Sequence, residues 1–274
     1  MAILPLAKPQ EFLESAVLYA PFQAPLETVL ELIDYAGHLD LYCIQCGMDS
    51  VFKPSDRGAP IALMASRPIP TSERVGFAIE QGTHTKRFAC TRNRLHPASV
   101  TFVVLAPNTV VKVGQYPSRE DRSRAEARKY RSLGIDHDEL TRASGLAAHG
   151  IGIGAFVYLR RIFERQMSAA AAKKTAAETS WDTTAWGALR VEDKIKALAG
   201  YLPAFLVENR TLYGILSKGL HELAEEDCAR HFPAVDLAIR MILDEVLAAR
   251  EAKEKQEEAK RALSKIQSEV SSKK

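Results

Sequence analysis

The 274-residue chain has few cysteines and little net charge. Its four cysteines are too sparse for a disulfide-stabilised scaffold. Its formal charge of +3 gives no strongly basic overall field of the kind that attracts nucleic acid. With 46% hydrophobic and 26% charged residues, the composition excludes collagen-like, mucin-like and wholly disordered proteins, and it suffices for one or two buried cores.

Long apolar runs are also missing. The longest, residues 146–159, contains a histidine and three glycines, and it is shorter than the roughly 20 residues that a helix needs to cross a bilayer. The first ten residues hold a short apolar run that Pro5 interrupts, which does not fit a secretory signal. We therefore expect a cytoplasmic protein with no membrane partner, in which thiols stay reduced. The HExxH, Walker A and GxSxG motifs of common enzymes do not occur.

The order of local patterns predicts an α+β fold that is mostly α. Four parts are expected: an N-terminal helical segment (1–37), a β-rich module (38–116), a helical bundle (117–247) and a charged C-terminal helical tail (248–274). Prolines break the first segment, and a Pro- and Gly-rich stretch at 54–72 predicts a loop. Strands are predicted at 41–44, 75–79, 87–90, 100–105 and 110–113, and helices at 118–132, 137–167, 191–200, 202–219, 222–231 and 233–270.

Two short motifs beside predicted strands indicate a metal site. Cys43-Ile-Gln-Cys46, followed by glycine, can form a tight knuckle that turns two thiolates toward one ion. Cys90 and His96 stand six residues apart further along the chain. Three cysteines and one histidine would make a closed, structural Zn²⁺ site. The β-rich module is therefore predicted to resemble a zinc ribbon.

The cysteine motifs leave alternatives open. His84 could replace His96 as the fourth ligand. A redox-active CxxC would need a βαβ context and a helix starting at the motif, and neither is evident. The thiols could also be buried and unligated. Cys228 lies on a predicted helix and is expected to be a core thiol.

Charge is distributed unevenly along the chain. Residues 86–132 contain eleven basic and three acidic residues, whereas residues 222–258 contain eleven acidic and five basic ones. The basic block could track a phosphate backbone. It could equally be a solvated helix paired with its own acidic residues, or dock against the acidic block. The candidate nucleic-acid-binding residues are Arg92, Arg94, Arg119, Arg124, Arg128 and Arg131, of which the last three are predicted to share a helix face.

A compact polar cluster marks the predicted helical bundle. Arg160 and Glu164 are spaced to pair on one helix, and Lys218, His221 and Glu222 lie near a predicted helix junction. The cluster could be a structural network between helices or a site for acid–base catalysis. His221, Glu222 and Arg160 are therefore the candidate catalytic residues.

The C-terminal tail carries a short apolar seam. Ala259, Leu263, Ile266 and Val270 recur at spacings of four, three and four residues, which is compatible with a short coiled coil. A solvated single helix held by Glu–Lys pairs is the alternative.

Several stretches of the helical part carry a resemblance. They are Arg160-Arg-Ile-Phe-Glu164, Lys194-Ile-x-x-Leu198, Leu202-Pro203 and a helix ending in Gly219-Leu-His221. Over about residues 140–247 this pattern resembles the helical domain of unknown function attached to restriction endonucleases and prokaryotic defence proteins, which is similar to the HEPN superfamily. The CxxC, Gly-Gln-Tyr-Pro-Ser and Ser-Lys-Gly-x-His-Glu-Leu stretches resemble a widespread uncharacterised bacterial family.

The resemblance implies a helical bundle that often dimerises. Catalytic HEPN ribonucleases carry an arginine and a histidine with four to six residues between them, and no arginine precedes His221 at that spacing. A binding or assembly role is thus implied more than cleavage. The leading hypothesis is a non-catalytic adaptor with structural zinc that binds nucleic acid or a partner protein, in bacterial phage defence. The alternatives are a HEPN-like ribonuclease using His221 and a structural oligomerisation module, with a homodimer expected.

Overall fold

A computed structural model describes residues 4–6, 8–55, 82–106 and 109–271. The fold is α+β with more helix than strand, as predicted. The chain divides into two compact units. We refer to Met1–Glu126 with Ala148–Gly150 as the sheet unit, and to Ala127–Ala147 with Ile151–Lys274 as the helical unit. The four-part division expected from the sequence stays a prediction.

The sheet unit is built on a seven-stranded sheet with the order β1-β2-β7-β6-β5-β4-β3. The two N-terminal strands, β1 and β2, pair in parallel. Every other pair of neighbouring strands in the sheet is antiparallel. The strands are β1 (Leu4–Pro5), β2 (Pro21–Gln23), β3 (Leu39–Cys43), β4 (Met48–Pro54), β5 (Gly82–Cys90), β6 (Pro97–Ala106) and β7 (Thr109–Tyr116).

Four predicted strands correspond to β3, β5, β6 and β7, but the sequence reading missed β4. Only Ser50 and Phe52 of β4 are buried, so its hydrophobic signal is weak. The predicted strand at 75–79 lies outside the described residues, as does nearly all of the predicted loop at 54–72.

Two short helices, α1 (Pro9–Ser15) and α2 (Leu26–Ile33), contribute to the sheet unit's core. Phe12 of α1 meets Phe102 of β6 edge to face, with ring centroids 5.9 Å apart. The predicted N-terminal segment is thus not purely helical, because β2 lies between the two helices and pairs with β7.

Eight α-helices follow the sheet within the described residues, together with 3₁₀ turns at Arg128–Leu133 and Ala199–Tyr201. The first, Asp121–Ala127, lies in the sheet unit except for its last residue, and the other seven build the helical unit. The helices are α3 (Asp121–Ala127), α4 (Ile135–Ala148), α5 (Gly152–Ala177), α6 (Thr183–Gly187), α7 (Val191–Ala197), α8 (Ala204–Glu208), α9 (Thr211–His221) and α10 (Glu225–Ser271).

Four of the predicted helices were wrong in their boundaries. The stretch 137–167 breaks at Gly150, which adopts a φ of +77°, a conformation that favours glycine. The stretch 202–219 forms two helices, α8 and α9, instead of one. The predicted helices at 222–231 and 233–270 are one helix, α10, that continues through Pro233. Apolar residues on both sides of this proline, Phe232 and Val235, are buried in the same core.

Close helix packing explains two glycines of the helical unit. A Cβ on Gly152 would lie 2.4 Å from the backbone nitrogen of Ala229, so α5 begins directly against α10. A Cβ on Gly219 would lie 2.2 Å from the ring of Phe156, so α9 approaches α5 equally closely. Glu225 accepts a hydrogen bond from the backbone N–H of Ile153 at 3.0 Å and thereby caps α5. Among the residues described, no helix combines the length and apolar character that crossing a bilayer requires.

Candidate metal centre

The first knuckle joins β3 to β4. Cys43 is the last residue of β3 and pairs with Met48 at the start of β4. The chain reverses between them, with Gly47 at a φ of +70° and its N–H donating to the Cys43 carbonyl at 2.8 Å. The side chains of Cys43 and Cys46 are thus held on one tight turn.

The second knuckle joins β5 to β6. Cys90 ends β5, and its N–H donates to the carbonyl of His96 at 3.0 Å. Asn93 shapes the turn between them: its side-chain oxygen accepts from the N–H of Leu95 at 2.9 Å, and its carbonyl accepts from the N–H of His96 at 3.0 Å. Cys90 also pairs with Phe52 across β4 and β5, and this pairing places the two knuckles side by side.

The four predicted ligands converge. The ligand atoms of Cys43, Cys46, Cys90 and His96 all lie within 4.8 Å of one another. The Cys46 and Cys90 sulfurs are 3.9 Å apart, and the His96 Nδ1 lies 3.5 Å from the Cys43 sulfur and 3.3 Å from the Cys46 sulfur. A tetrahedral Zn²⁺ with Zn–S bonds of about 2.3 Å places its sulfurs about 3.8 Å apart. The donor set and its spacing therefore fit a single tetrahedral ion.

The thiols of this site differ in burial and in pKa. Cys43 and Cys90 are fully buried, while Cys46 and His96 are partly exposed. Burial raises the pKa of the Cys90 thiol, but hydrogen bonds from the backbone N–H groups of Asn93 and Arg92 outweigh it and bring that pKa down to about 7. Burial and hydrogen bonding to Cys43 raise the pKa of Cys46 to about 11. The backbone N–H groups of the second knuckle thus favour the thiolate form of Cys90.

The remaining candidates for this site lie elsewhere. His84 is on β5 six residues before Cys90, about 20 Å along an extended strand, and its ring stacks on Phe102 with centroids 5.3 Å apart. Cys228 is buried in the helical unit, as predicted, and its thiol donates to the Gly219 carbonyl at 3.3 Å. His96 is therefore the histidine that the structure brings to the three cysteines.

The candidate arginines of the sheet unit differ in whether their side chains form ion pairs or hydrogen bonds. Arg92 and Arg94 are exposed on the second knuckle, and neither has an ion pair among the residues that the structure describes. Arg119 donates to the carbonyl of Ala148 at 3.3 Å, and Arg124 pairs with Glu120 at 2.7 Å. Within the described part of the sheet unit, Arg92 and Arg94 are thus exposed and available to a partner.

The single α-helix predicted to carry three arginines on one face is divided in the structure. Arg124 belongs to α3, whereas Arg128 and Arg131 lie in the 3₁₀ turn that follows, where the periodicity of an α-helix no longer applies. The last two are exposed in the helical unit. Their neighbour Lys129 pairs with Asp244 of α10 at 2.6 Å, so this end of the basic block contacts part of the acidic block.

The candidate catalytic residues are not assembled into one cluster. Arg160 pairs with Glu164 at 2.7 Å, as predicted, and also donates to the Tyr213 hydroxyl at 2.9 Å. His221 and Glu222 are exposed at the end of α9. Tyr213 precedes His221 by eight residues, about 12 Å along the helix axis. Arg160 is thus held two helical turns away from His221.

Two supporting residues were not predicted from the sequence. Asn93 shapes the second knuckle, and an Asx turn between two ligands could have been recognised from its position. Lys112 of β7 is fully buried and donates to the Leu13 carbonyl at 2.7 Å at the end of α1, a contact across 99 residues that no local pattern indicates.

Comparison with protein-family models, curated proteins and solved structures found no match.

Proposed function

We propose that the chain is a non-catalytic binding protein whose sheet unit is stabilised by one structural Zn²⁺ ion in a zinc-ribbon-like arrangement. The observation that carries the proposal is the convergence of three cysteines and His96 within 4.8 Å. Four protein ligands would close the coordination sphere, and a closed site is typical of structural zinc. A catalytic zinc usually leaves one position to water.

Metal analysis of the purified full-length protein tests the site. We expect about one zinc per chain, and we expect Cys46→Ser to lose it, because a hydroxyl is a poor zinc ligand. Cys228→Ser is the matched control, since it changes the same atom in the helical unit and should retain the metal. A zinc content near zero in the unchanged protein, or an unchanged content in Cys46→Ser, would contradict the proposal.

Nucleic acid is the partner that we propose for the second knuckle. Arg92 and Arg94 are exposed beside the metal ligands, on a turn that the metal would hold rigid. Two cations on a fixed turn can contact successive phosphates, and such contacts make affinity fall with rising salt.

Fluorescence anisotropy with labelled single- and double-stranded oligonucleotides tests this partner. The double variant Arg92→Gln with Arg94→Gln should bind at least about tenfold more weakly and reduce the salt slope by about two. Removing two other exposed charges, with Lys8→Gln and Lys173→Gln, provides a charge-matched control. Equal losses in both variants would indicate a nonspecific charge effect, and no binding at low salt would leave a protein as the partner.

The ribonuclease alternative is less favoured by the geometry, because Arg160 is engaged by Glu164 and Tyr213. It predicts RNA cleavage that His221→Ala abolishes while zinc content stays unchanged. The proposed place in bacterial phage defence rests on the resemblance of the helical part alone.

A further inference from the structure

The outer face of α10 carries an apolar stripe. Leu237, Met241, Leu263, Ile266 and Val270 are exposed by 61%, 42%, 66%, 56% and 65%. At 3.6 residues per turn, these five and three of the exposed alanines between them, Ala248, Ala252 and Ala259, fall within an arc of about 80°. The stripe, defined by its members, comprises Leu237, Met241, Ala248, Ala252, Ala259, Leu263, Ile266 and Val270.

This stripe is not the face that packs on the helical unit's core. The buried residues of α10, including Phe232, Ile239 and Leu243, centre on a direction about 150° away from the stripe. A soluble helix normally exposes apolar residues singly and not in a row. From Leu237 to Val270 the row spans about 50 Å at 1.5 Å per residue. A surface of this length and narrowness fits another helix.

The sizes of the side chains suit pairing with an identical stripe in the opposite direction. Large residues occupy both ends of the stripe, and alanines occupy its middle. In an antiparallel pair, Leu237 would lie opposite Val270 and Met241 opposite Ile266. Ala248 would then lie opposite Ala259, which lets the two helices approach closely at the centre.

Charge along α10 selects the same direction. Residues 260–271 contain three basic residues and one acidic residue, a net charge of +2. Residues 236–247 contain three acidic residues and one basic residue, a net charge of −2, which the ion pair between Asp244 and Lys129 reduces to −1. Antiparallel pairing brings these segments together at both ends of the interface. Parallel pairing would place like against like, which is unfavourable for association.

We propose that the stripe of α10 binds the stripe of a second copy of this chain and forms an antiparallel homodimer. This inference is independent of the metal site and of nucleic-acid binding, because every residue that carries it lies on α10. The dimer would have two-fold symmetry, as most homodimers do.

Analytical ultracentrifugation of the full chain tests the association. The unchanged protein should be a dimer, and Leu263→Glu with Ile266→Glu should raise its dissociation constant at least about a hundredfold, because charges would be buried without partners. Ser264→Glu with Ser268→Glu adds the same charges to the same turns on roughly the opposite face and should leave the dimer intact. Residues 248–271 lie beyond the buried part of α10, so neither variant should unfold the bundle.

Cysteine cross-linking tests the direction. A Met241→Cys protein mixed with an Ile266→Cys protein should give a mixed disulfide under mild oxidation, identified by peptide mass spectrometry. Neither variant alone should cross-link. Self-cross-linking of Met241→Cys would show a parallel pair and overturn the proposed direction. A monomer at the highest soluble concentration, or a dimer that survives the Leu263 and Ile266 changes, would overturn the proposal itself.

Discussion

The sheet unit and the helical unit differ in how far apolar packing extends through them. The helical unit has a continuous apolar core to which α4, α5, α9 and α10 all contribute. The sheet unit also has an apolar core, but its two knuckles bury the sulfurs of Cys43 and Cys90, and Met48 and Leu95 on or beside the knuckles are exposed. On the proposed function, packing would suffice for the helical unit, whereas the corner of the sheet unit would depend on a ligated ion.

We expect the largest effect when the proposed metal is removed. Chelation, or Cys46→Ser, should abolish amide protection at 43–47 and 90–96, because structural zinc contributes about 10–16 kcal/mol of apparent binding free energy in zinc-finger peptides. Hydrogen exchange with mass spectrometry measures this loss. Both tryptophans, Trp181 and Trp186, lie in the helical unit, so their fluorescence should still show its normal unfolding transition. Loss of that transition on chelation would show that the helical unit also needs the metal to fold.

The reciprocal change is Phe156→Ala in the helical unit. Phe156 is fully buried and its ring contacts Gly219, so its truncation should destabilise this unit by about 3–5 kcal/mol. Urea unfolding followed by tryptophan fluorescence measures the change. The zinc content should remain at the value of the unchanged protein, and loss of zinc would argue that the two units do not fold separately.

A smaller effect concerns pH and the buried Lys112. Burial and the nearby Arg119 lower its pKa to about 7 in the folded chain, from an ordinary value of 10.5. Between these values the unfolded chain binds more protons, so this residue should make stability rise with pH, by at most about 1.4 kcal/mol per pH unit. Below pH 7 its contribution is constant and unfavourable.

Lys112→Met should remove the part of the rise in stability with pH that Lys112 causes. Urea unfolding followed by circular dichroism from pH 7 to 10 compares the slopes. The exposed Lys53→Met provides the control and should retain the slope of the unchanged protein. An identical slope in Lys112→Met would show that the lysine is protonated throughout this range.

The sequence revealed the local parts of the metal centre. Cys43 and Cys46 share one turn, and Cys90 and His96 share another, so their spacing carries the information. What spacing cannot give is which histidine reaches the three cysteines. That depends on the β5–β6 register, and the register places His84 far from the knuckle.

The helices were harder to predict because tertiary packing overrides local signals. Pro233 normally ends a helix, but α10 continues because residues on both sides of it pack into one core. The cap that Glu225 provides to α5 joins positions 72 residues apart, so it was not readable from local sequence. The buried Lys112 is hidden for the same reason.

The unequal thiols of the candidate metal centre have a consequence for proton release. A thiol must lose its proton before it ligates a metal, so binding displaces protons into solution. Binding of an ion would therefore displace more protons from Cys46, whose pKa is raised to about 11, than from Cys90, whose pKa is lowered to about 7. The two amides of the second knuckle thus make metal uptake less sensitive to acidity than three ordinary thiols would.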